Sequence, residues 1–443
     1  MTPPRSKRRG AVLIMVLLLL TLTVTLVLGL SRDVRVETAV AGQVIDELQL
    51  RALANSAVER ALAEVCQDRF QPASLFSPWR DDEARFRGVV HGEGRYWLIV
   101  SEPDPGDGRE LRYGVRDEAG KLNVNAATRE QLLALPGITE DAVDGILDWR
   151  DEDEDPLDYG AEASYYGAID PPYLPKNGPI ESLDELLRVR GVDAAILWGE
   201  DRNQNGILDP GEDDGDRSFP PDDADGVLDR GIGHYLTVFS RELNRTLDGR
   251  ERVSWSDSTE DELVSRLVAA GMAEPALFRL RQLKSGNAQV STYGELLRFP
   301  EIDEPAAAIV LDEIAVSGGE YRVGRINVNT APREVLAGLP GLEPDEVEAI
   351  MAGRLTPDAD LTSPAWLMQV IPPEKFQFLA DLVTTRSDQF TVHVVAALDR
   401  RPGRFVRLEV LVDRGFVPPR ILLWRDLTTL GFPLPGERGV DHP

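Results

Sequence analysis

Residues 11–30 read AVLIMVLLLLTLTVTLVLGL, a stretch with no charge and no proline. At ~1.5 Å of rise per residue, a helix of this length spans ~30 Å, the thickness of a bilayer's hydrocarbon core. A helix packed in a soluble core keeps a polar face. This run has none, so Ala11 to Leu30 is expected to cross a membrane. Arg5, Lys7, Arg8 and Arg9 precede it with no acid among the first ten residues. The positive-inside rule then puts residues 1–10 in the cytoplasm and the chain after about Ser31 on the other side. A secretory signal has a shorter apolar run followed by small residues at a cleavage site. Here the small pair Gly10-Ala11 lies before the run.

The chain then continues without proline from Ser31 to Gln71, with Ile45, Leu48, Leu50, Ala54, Val58, Leu62 and Val65 at helical spacing. The membrane helix is therefore expected to extend as an amphipathic stalk to about Asp68. Beyond it the composition is globular, but the formal net charge is −28. A field of that sign repels nucleic acid and anionic membrane surfaces. The single cysteine, Cys66, excludes an intrachain disulfide framework and any multi-cysteine zinc site.

Residues 120–150, GKLNVNAATREQLLALPGITEDAVDGILDWR, return at a constant offset of 204 as GRINVNTAPREVLAGLPGLEPDEVEAIMAGR, with about half of the positions identical. Each copy reads as a short extended piece, an asparagine cap (Asn125 or Asn329), a helix, a Leu-Pro-Gly turn and a second helix. This is a helix-hairpin-helix pattern. The turn amides at Pro136, Gly137 and Ile138 suit a phosphate, which raises DNA binding as a reading. Thr139, Glu140 and Asp141 in one copy, and Glu343, Pro344 and Asp345 in the other, stand where a DNA reader carries Lys or Arg. The hairpins are therefore expected to be structural.

Residues 151–230 hold 23 Asp/Glu against 6 Lys/Arg. Within them, Asp201 to Glu212 matches D-x-[DN]-x-[DN]-G-x5-E without a gap. Asp201, Asn203 and Asn205 would supply side-chain oxygens, Ile207 its carbonyl, Asp209 a direct or water-mediated contact, and Glu212 two oxygens. Gly206 permits the sharp turn. Hard oxygen donors at this spacing select Ca²⁺. Two weaker echoes flank the loop. Asp223, Asp225 and Asp229 fit part of a second loop that has Pro221 at its first position. Asp151, Asp153, Asp155 and Glu162 fit a third that has Pro156 where glycine belongs.

β-prone runs sit at both ends of the soluble part: 95–100 and 111–116, then 390–397, 405–412 and 421–424. The expected class is α+β: a long N-terminal helix packed on an antiparallel sheet, with a large mostly α-helical inserted domain carrying the two hairpin repeats. The expected division is leader 1–10, membrane helix 11–30, stalk and first strands 31–121, inserted domain 122–385 and closing strands 386–443. No G-x-S-x-G, Walker loop or H-E-x-x-H is present. His91 and His393 fall in strand regions as polar sheet residues. The chain is read as non-enzymatic.

The opening resembles a type IV pilin-like leader. That resemblance implies cleavage by a prepilin peptidase between Gly10 and Ala11. Most members of the class carry Glu at the fifth mature position, where this chain has Met15. The ordered set Leu122-Asn-Val-Asn125, Ile146-Leu-Asp-Trp-Arg-Asp-Glu-Asp153, Gly160-Ala-Glu162, Tyr165-Tyr166, Pro171-Pro-Tyr173, Ser182-Leu-Asp-Glu-Leu186, Tyr235-Leu-Thr-Val-Phe-Ser240 and Ile326-Asn-Val-Asn329 resembles the protein K family of the type II secretion system, the minor pseudopilins. The resemblance implies a pilin-like fold with a helical insertion and calcium binding in that insertion. It also implies a place in the bacterial inner membrane at the tip of a periplasmic pseudopilus, with minor pseudopilins I and J, the pseudopilus filament and the inner-membrane secretion platform as partners. A membrane-anchored helix-hairpin-helix DNA-uptake protein is the alternative; nucleic acid is the less expected partner.

Overall fold

The computed structural model of the chain describes residues 8–67, 69–102, 109, 111–217, 224–356, 359–401 and 403–434. Helix Arg8–Gln67 runs unbroken for 60 residues, because nothing between Ser31 and its end removes a backbone donor. It has two characters. Every side chain from Val12 to Leu30 is exposed, and the helix is long and apolar enough to cross a membrane. Toward its other end Leu50, Leu53, Ala54, Ala57, Val58, Ala61, Leu62 and Val65 are buried at i, i+3 and i+4 spacing, whereas Ile45 and Leu48, expected on the same stripe, are exposed because the sheet does not reach them.

That buried stripe lies on an antiparallel sheet of order Val89–His91, Gly94–Ile99, Gln389–Leu398, Phe405–Asp413, Arg420–Asp426. The central strand, Gln389–Leu398, also pairs with Arg116–Asp117, placing Phe390 opposite Asp117. The stripe and the sheet share one core that includes Trp79, Trp97, Leu98, Phe390, Val394 and Val410. The α+β class read from the sequence is the fold observed.

Residues 111–116 are not the strand their composition predicts. Arg112 bridges to Val100, the Gly114 N–H donates to the Leu98 carbonyl at 3.0 Å, and Arg116 begins the pair with the central strand. Between them the backbone turns to the loop before the sheet: the Val115 N–H donates to the Trp79 carbonyl at 2.9 Å, and the Tyr113 carbonyl accepts the Asp82 N–H at 2.8 Å. Groups paired there cannot make the run one continuous strand.

The chain leaves the sheet at Asp117 and re-enters at Gln389. Between them a second core, from Leu122 to Val383, is built of short helices and two-residue parallel pairs. The parallel pairs open the two repeats: Leu122–Asn123 lies beside Leu236–Thr237, and Ile326–Asn327 beside Val383–Thr384. Two buried acids join this part to the sheet. Asp117 Oδ2 accepts from Asn327 Nδ2 and Thr330 Oγ1, both at 2.7 Å. Glu118 accepts from Thr237 Oγ1 at 2.5 Å and from Thr391 Oγ1 at 2.6 Å.

Candidate metal-binding loops and paired hairpins

The hairpins are helix pairs Arg129–Leu133 with Glu140–Arg150, and Arg333–Ala337 with Pro344–Gly353. Asn125 and Asn329 do not cap the first helices, as the sequence suggested. The caps are Thr128 and Pro332. Each asparagine instead reaches across the fold: Asn125 Nδ2 donates to the Ile180 carbonyl at 2.9 Å, and Asn329 Nδ2 to the Leu361 carbonyl at 3.0 Å. A second feature repeats at the far end. Arg150 donates to the carbonyls of Val124 and Ala127, and Arg354 to those of Val328 and Ala331. The terminal arginine of each second helix thus ties down the loop that opens its own hairpin. The acids of the turns are on the surface: Glu140, Glu343 and Asp345 are exposed.

In the Asp201–Glu212 loop the side chains predicted as ligands fold inward. Asp201 accepts from the N–H groups of Asn205 at 2.9 Å and Gly206 at 2.8 Å. Gly206 has φ +69°, the left-handed conformation that favours glycine. Asn203 and Asn205 donate side-chain N–H groups to Asp209 Oδ2 at 2.7 and 2.9 Å. Glu212 accepts from the Arg202 N–H at 3.0 Å and the Asp209 N–H at 3.1 Å. Asn203 Oδ1 is buried with no hydrogen-bond partner. Burial raises the Asp201 and Glu212 carboxyls, and Asp201 and Asp209 add to the rise at Glu212. Ile207 is the chain's turn residue here, its N–H donating to Asn205 Oδ1 at 2.7 Å. The donors, the orphaned oxygen and the crowded carboxylates fit a hard cation.

No motif in the sequence marks what anchors this loop. Arg407, wholly buried on strand Phe405–Asp413, donates to the carbonyls of Asn203 and Gln204 and, through Nε, to His393 Nε2 at 2.8 Å. Burial lowers Arg407 to about 10 and holds His393 well below its ordinary value. His393 is therefore a neutral acceptor that orients the arginine. The alternation of Val406, Leu408, Val410 and Val412 predicts one buried face; Arg407 lies on the other, and nothing in the spacing shows that this face is covered too, by a loop 200 residues away.

The third loop is rearranged. Among the described residues, the trio Asp148, Asp151 and Glu162 brings three acidic ligand atoms within 4.8 Å of one another. Asp151 and Glu162 are two of the predicted four. Asp153 instead accepts the Asp155 N–H at 2.9 Å, closing a local turn, and Asp155 is exposed. Asp148 takes their place, one helical turn before Asp151 on Glu140–Arg150, an i, i+3 relation visible in the sequence as Asp-Trp-Arg-Asp. Among the described residues, neither carboxylate oxygen of the buried Glu162 has a hydrogen-bond partner, and Asp151 Oδ1 has none either. Burial, then repulsion from Asp148, Asp151, Glu154 and Asp153, pushes Glu162 up to about 7, and burial raises Asp148 to about 6. Gly160 is needed beside them: a Cβ there would sit 1.9 Å from Asp148 Oδ2.

Of the second weaker loop, Asp223 lies outside the described residues. Asp225 Oδ1 accepts the Val227 N–H at 2.7 Å, and the Asp229 N–H donates to Glu200 at 3.3 Å. Both residues are exposed, and among the described residues neither joins an acidic cluster.

A family model described as type II secretion system (T2SS), protein K, matches residues 113–198. That segment contains the first hairpin and the Asp148–Asp151–Glu162 trio. Among curated proteins, type II secretion system protein K of Pseudomonas aeruginosa is 30% identical over 175 residues, 34% of this chain and 53% of the relative. Those of Aeromonas hydrophila and Klebsiella pneumoniae are 48% and 43% identical over 54 and 51 residues, each alignment covering 12% of this chain and 16% of the relative. The chain thus spans about half or less of the length of the curated relatives it matches. A chain in the crystal structure of the GspK-GspI-GspJ complex from the enterotoxigenic Escherichia coli type 2 secretion system aligns over 87% of this chain and 98% of its own length, at 13% identity and a TM-score of 0.46. The resemblance carried by the ordered motifs and the family model agree: this chain is similar to type II secretion system protein K, through a shared domain at residues 113–198.

Proposed function

We propose that the chain is a minor pseudopilin that starts and caps the type II secretion pseudopilus, without enzymatic activity. The observation that carries this reading is the helix Arg8–Gln67, whose first half is apolar and unpacked while its second half is sealed to an antiparallel sheet. In this reading Ala11 to Leu30 lies in the bacterial inner membrane with residues 1–10 in the cytoplasm, a prepilin peptidase cuts between Gly10 and Ala11, and the rest is periplasmic. Met15 supports a place at the filament tip. A tip subunit has no subunit ahead of it, and an unpaired carboxylate within the bilayer is costly. The wide insertion between Asp117 and Gln389 caps the filament rather than entering it. Minor pseudopilins I and J are the partners, through bundled N-terminal helices, and the filament rises from an inner-membrane platform to move folded proteins out of the periplasm.

The insertion holds Ca²⁺ at two places in this reading. Asp201, Asn203, Asn205, Asp209 and Glu212 form one, with the Ile207 carbonyl as a further donor; Asp148, Asp151 and Glu162 form the other. The ion supplies positive charge where buried carboxylates otherwise repel, and so fixes the acidic loops. No observation favours the DNA-uptake alternative, since acid lines both hairpin turns.

Replacing Ala11 to Leu30 with a cleavable soluble leader is expected to abolish secretion while leaving the remainder folded and able to capture pseudopilins I and J. Secretion at the normal rate from cells carrying only that variant would end the tip model.

A further inference from the structure

A cavity of 280 Å³ opens in the insertion, away from the acidic loops, and four of its lining residues are Arg252, Arg322, Arg325 and Arg386. All four are about nine-tenths buried or more. Their counter-charges are few. Glu242 takes Arg322 at 2.5 Å and Arg325 at 3.2 Å, and lies 3.8 Å from Arg386. Asp381 lies near Arg325, but its carboxylate accepts the Tyr293 N–H at 2.9 Å. Of the two acids in the lining, Asp312 accepts the Leu247 N–H at 2.9 Å, and Glu313 lies 3.0 Å from Arg250 and 3.5 Å from Arg266, its Oε2 buried without a hydrogen bond among the described residues.

Arg252 is left over. It is 9% exposed, and among the described residues its side chain makes one hydrogen bond, from Nη1 to Asn244 Oδ1 at 3.3 Å. Its Nε and the Nε of Arg322 are buried with no partner among the described residues. Burial, reinforced by Arg322 and Arg386, pushes the Arg252 guanidinium well below its ordinary value. A buried guanidinium without an anion is strongly destabilising. With Glu313 taken up by Arg250 and Arg266, four guanidiniums against Glu242, Asp381 and Asp312 leave one positive charge uncompensated. Planar donors in a fork are the geometry that holds phosphate-like oxygens. We propose that this cavity binds a small oxyanion of the phosphate–sulfate class, with Arg252 and Arg322 as its principal donors. In a chain of net charge −28 such a site is selected against by the overall field, so it has to be built locally, by removing arginines from water.

The test uses the full-length chain in detergent micelles, melted in sodium sulfate or inorganic phosphate against sodium chloride at equal ionic strength. A saturable rise of about 3–5 °C is expected in both oxyanions, with broadening of the phosphorus-31 resonance of phosphate. Arg252→Met is expected to lose the rise and the broadening, Arg252→Lys to keep part of both, and Arg279→Met, whose partner is Glu301 on the surface, to keep all. The proposal is overturned if the wild-type melt follows ionic strength alone with no broadening, or if Arg252→Met responds like wild type. An equal response to acetate overturns the assignment to a tetrahedral anion. If Arg252→Met does not fold, wild-type calorimetry with sulfate decides, and a flat titration rejects the site.

Discussion

Asp148 and Asp151 in the first hairpin repeat stand where the second, 204 residues later, has Ala352 and Leu355. The scaffold around these positions is shared. Both copies have a parallel two-residue pair, an asparagine crossing to a distant carbonyl, and a terminal arginine binding the hairpin's own opening loop. They differ in what lies between the arginine and the asparagine's partner. In the first copy the chain runs from Arg150 out through the acid loop to Ile180; in the second it turns from Arg354 to Leu361 almost directly. The comparison separates framework from cargo. The hydrogen bonds that recur in both copies make the shared fold; of the carboxylates present in only one, Asp148 also accepts the Leu157 N–H of the acid loop, while Glu162 has no hydrogen-bond partner among the described residues.

If the arginines are framework, removing either should cost stability whatever the calcium level. Arg354 is fully enclosed while Arg150 is half-buried. Arg354→Met is therefore expected to cost about 3 kcal/mol and Arg150→Met about 1–2 kcal/mol in urea unfolding. Equal small losses would break the comparison. If the carboxylates are cargo, a chelator should lower the wild-type melting temperature by several degrees and Ca²⁺ should restore it. Glu162→Gln should shrink that response to what the Asp201–Glu212 loop supplies. A calcium response unchanged in Glu162→Gln would remove the trio as a site. Gly160→Ala should weaken the same response with a smaller loss in calcium-free stability, because its Cβ displaces Asp148. The pH dependence is the gentlest probe. Glu162 is raised to about 7 against an unfolded value of about 4.3. In chelator its contribution is thus fully present below about pH 4.3 and lost as pH rises through about 7. Ca²⁺ or Glu162→Gln should flatten that slope.

Much of this was legible in the sequence because it rests on local periodicity. The uncharged run, the i, i+3, i+4 stripe of the stalk, the alternating strand around Val406–Val412 and the 204-residue offset each have one physical reading. The Asp201–Glu212 spacing identified a loop that closes on itself, since its bonds join residues only a few positions apart. The third loop was half legible. Asp151 and Glu162 were identified, but the EF-like template placed their companions at Asp153 and Asp155, whereas the helix Glu140–Arg150 delivers Asp148 from one turn earlier. A loop template counts along the chain, whereas this acidic trio is assembled from a helix end and the segment that returns to it.

What the sequence determined by itself is the kind of segment found at each place: a membrane-length apolar helix, a stalk, strands at both ends, hairpins in the middle and acid concentrated in one stretch. Each follows from side-chain chemistry acting over a few neighbours. Tertiary structure alone decided which distant groups meet: Asp117 with Asn327 and Thr330, Arg407 with the carbonyls of the Asp201 loop, and Arg252 with Arg322 and Arg386 around a cavity. Those encounters depend on burial, where a charge or amide must find a partner or be destabilising, and no spacing rule carries information across 200 residues of chain.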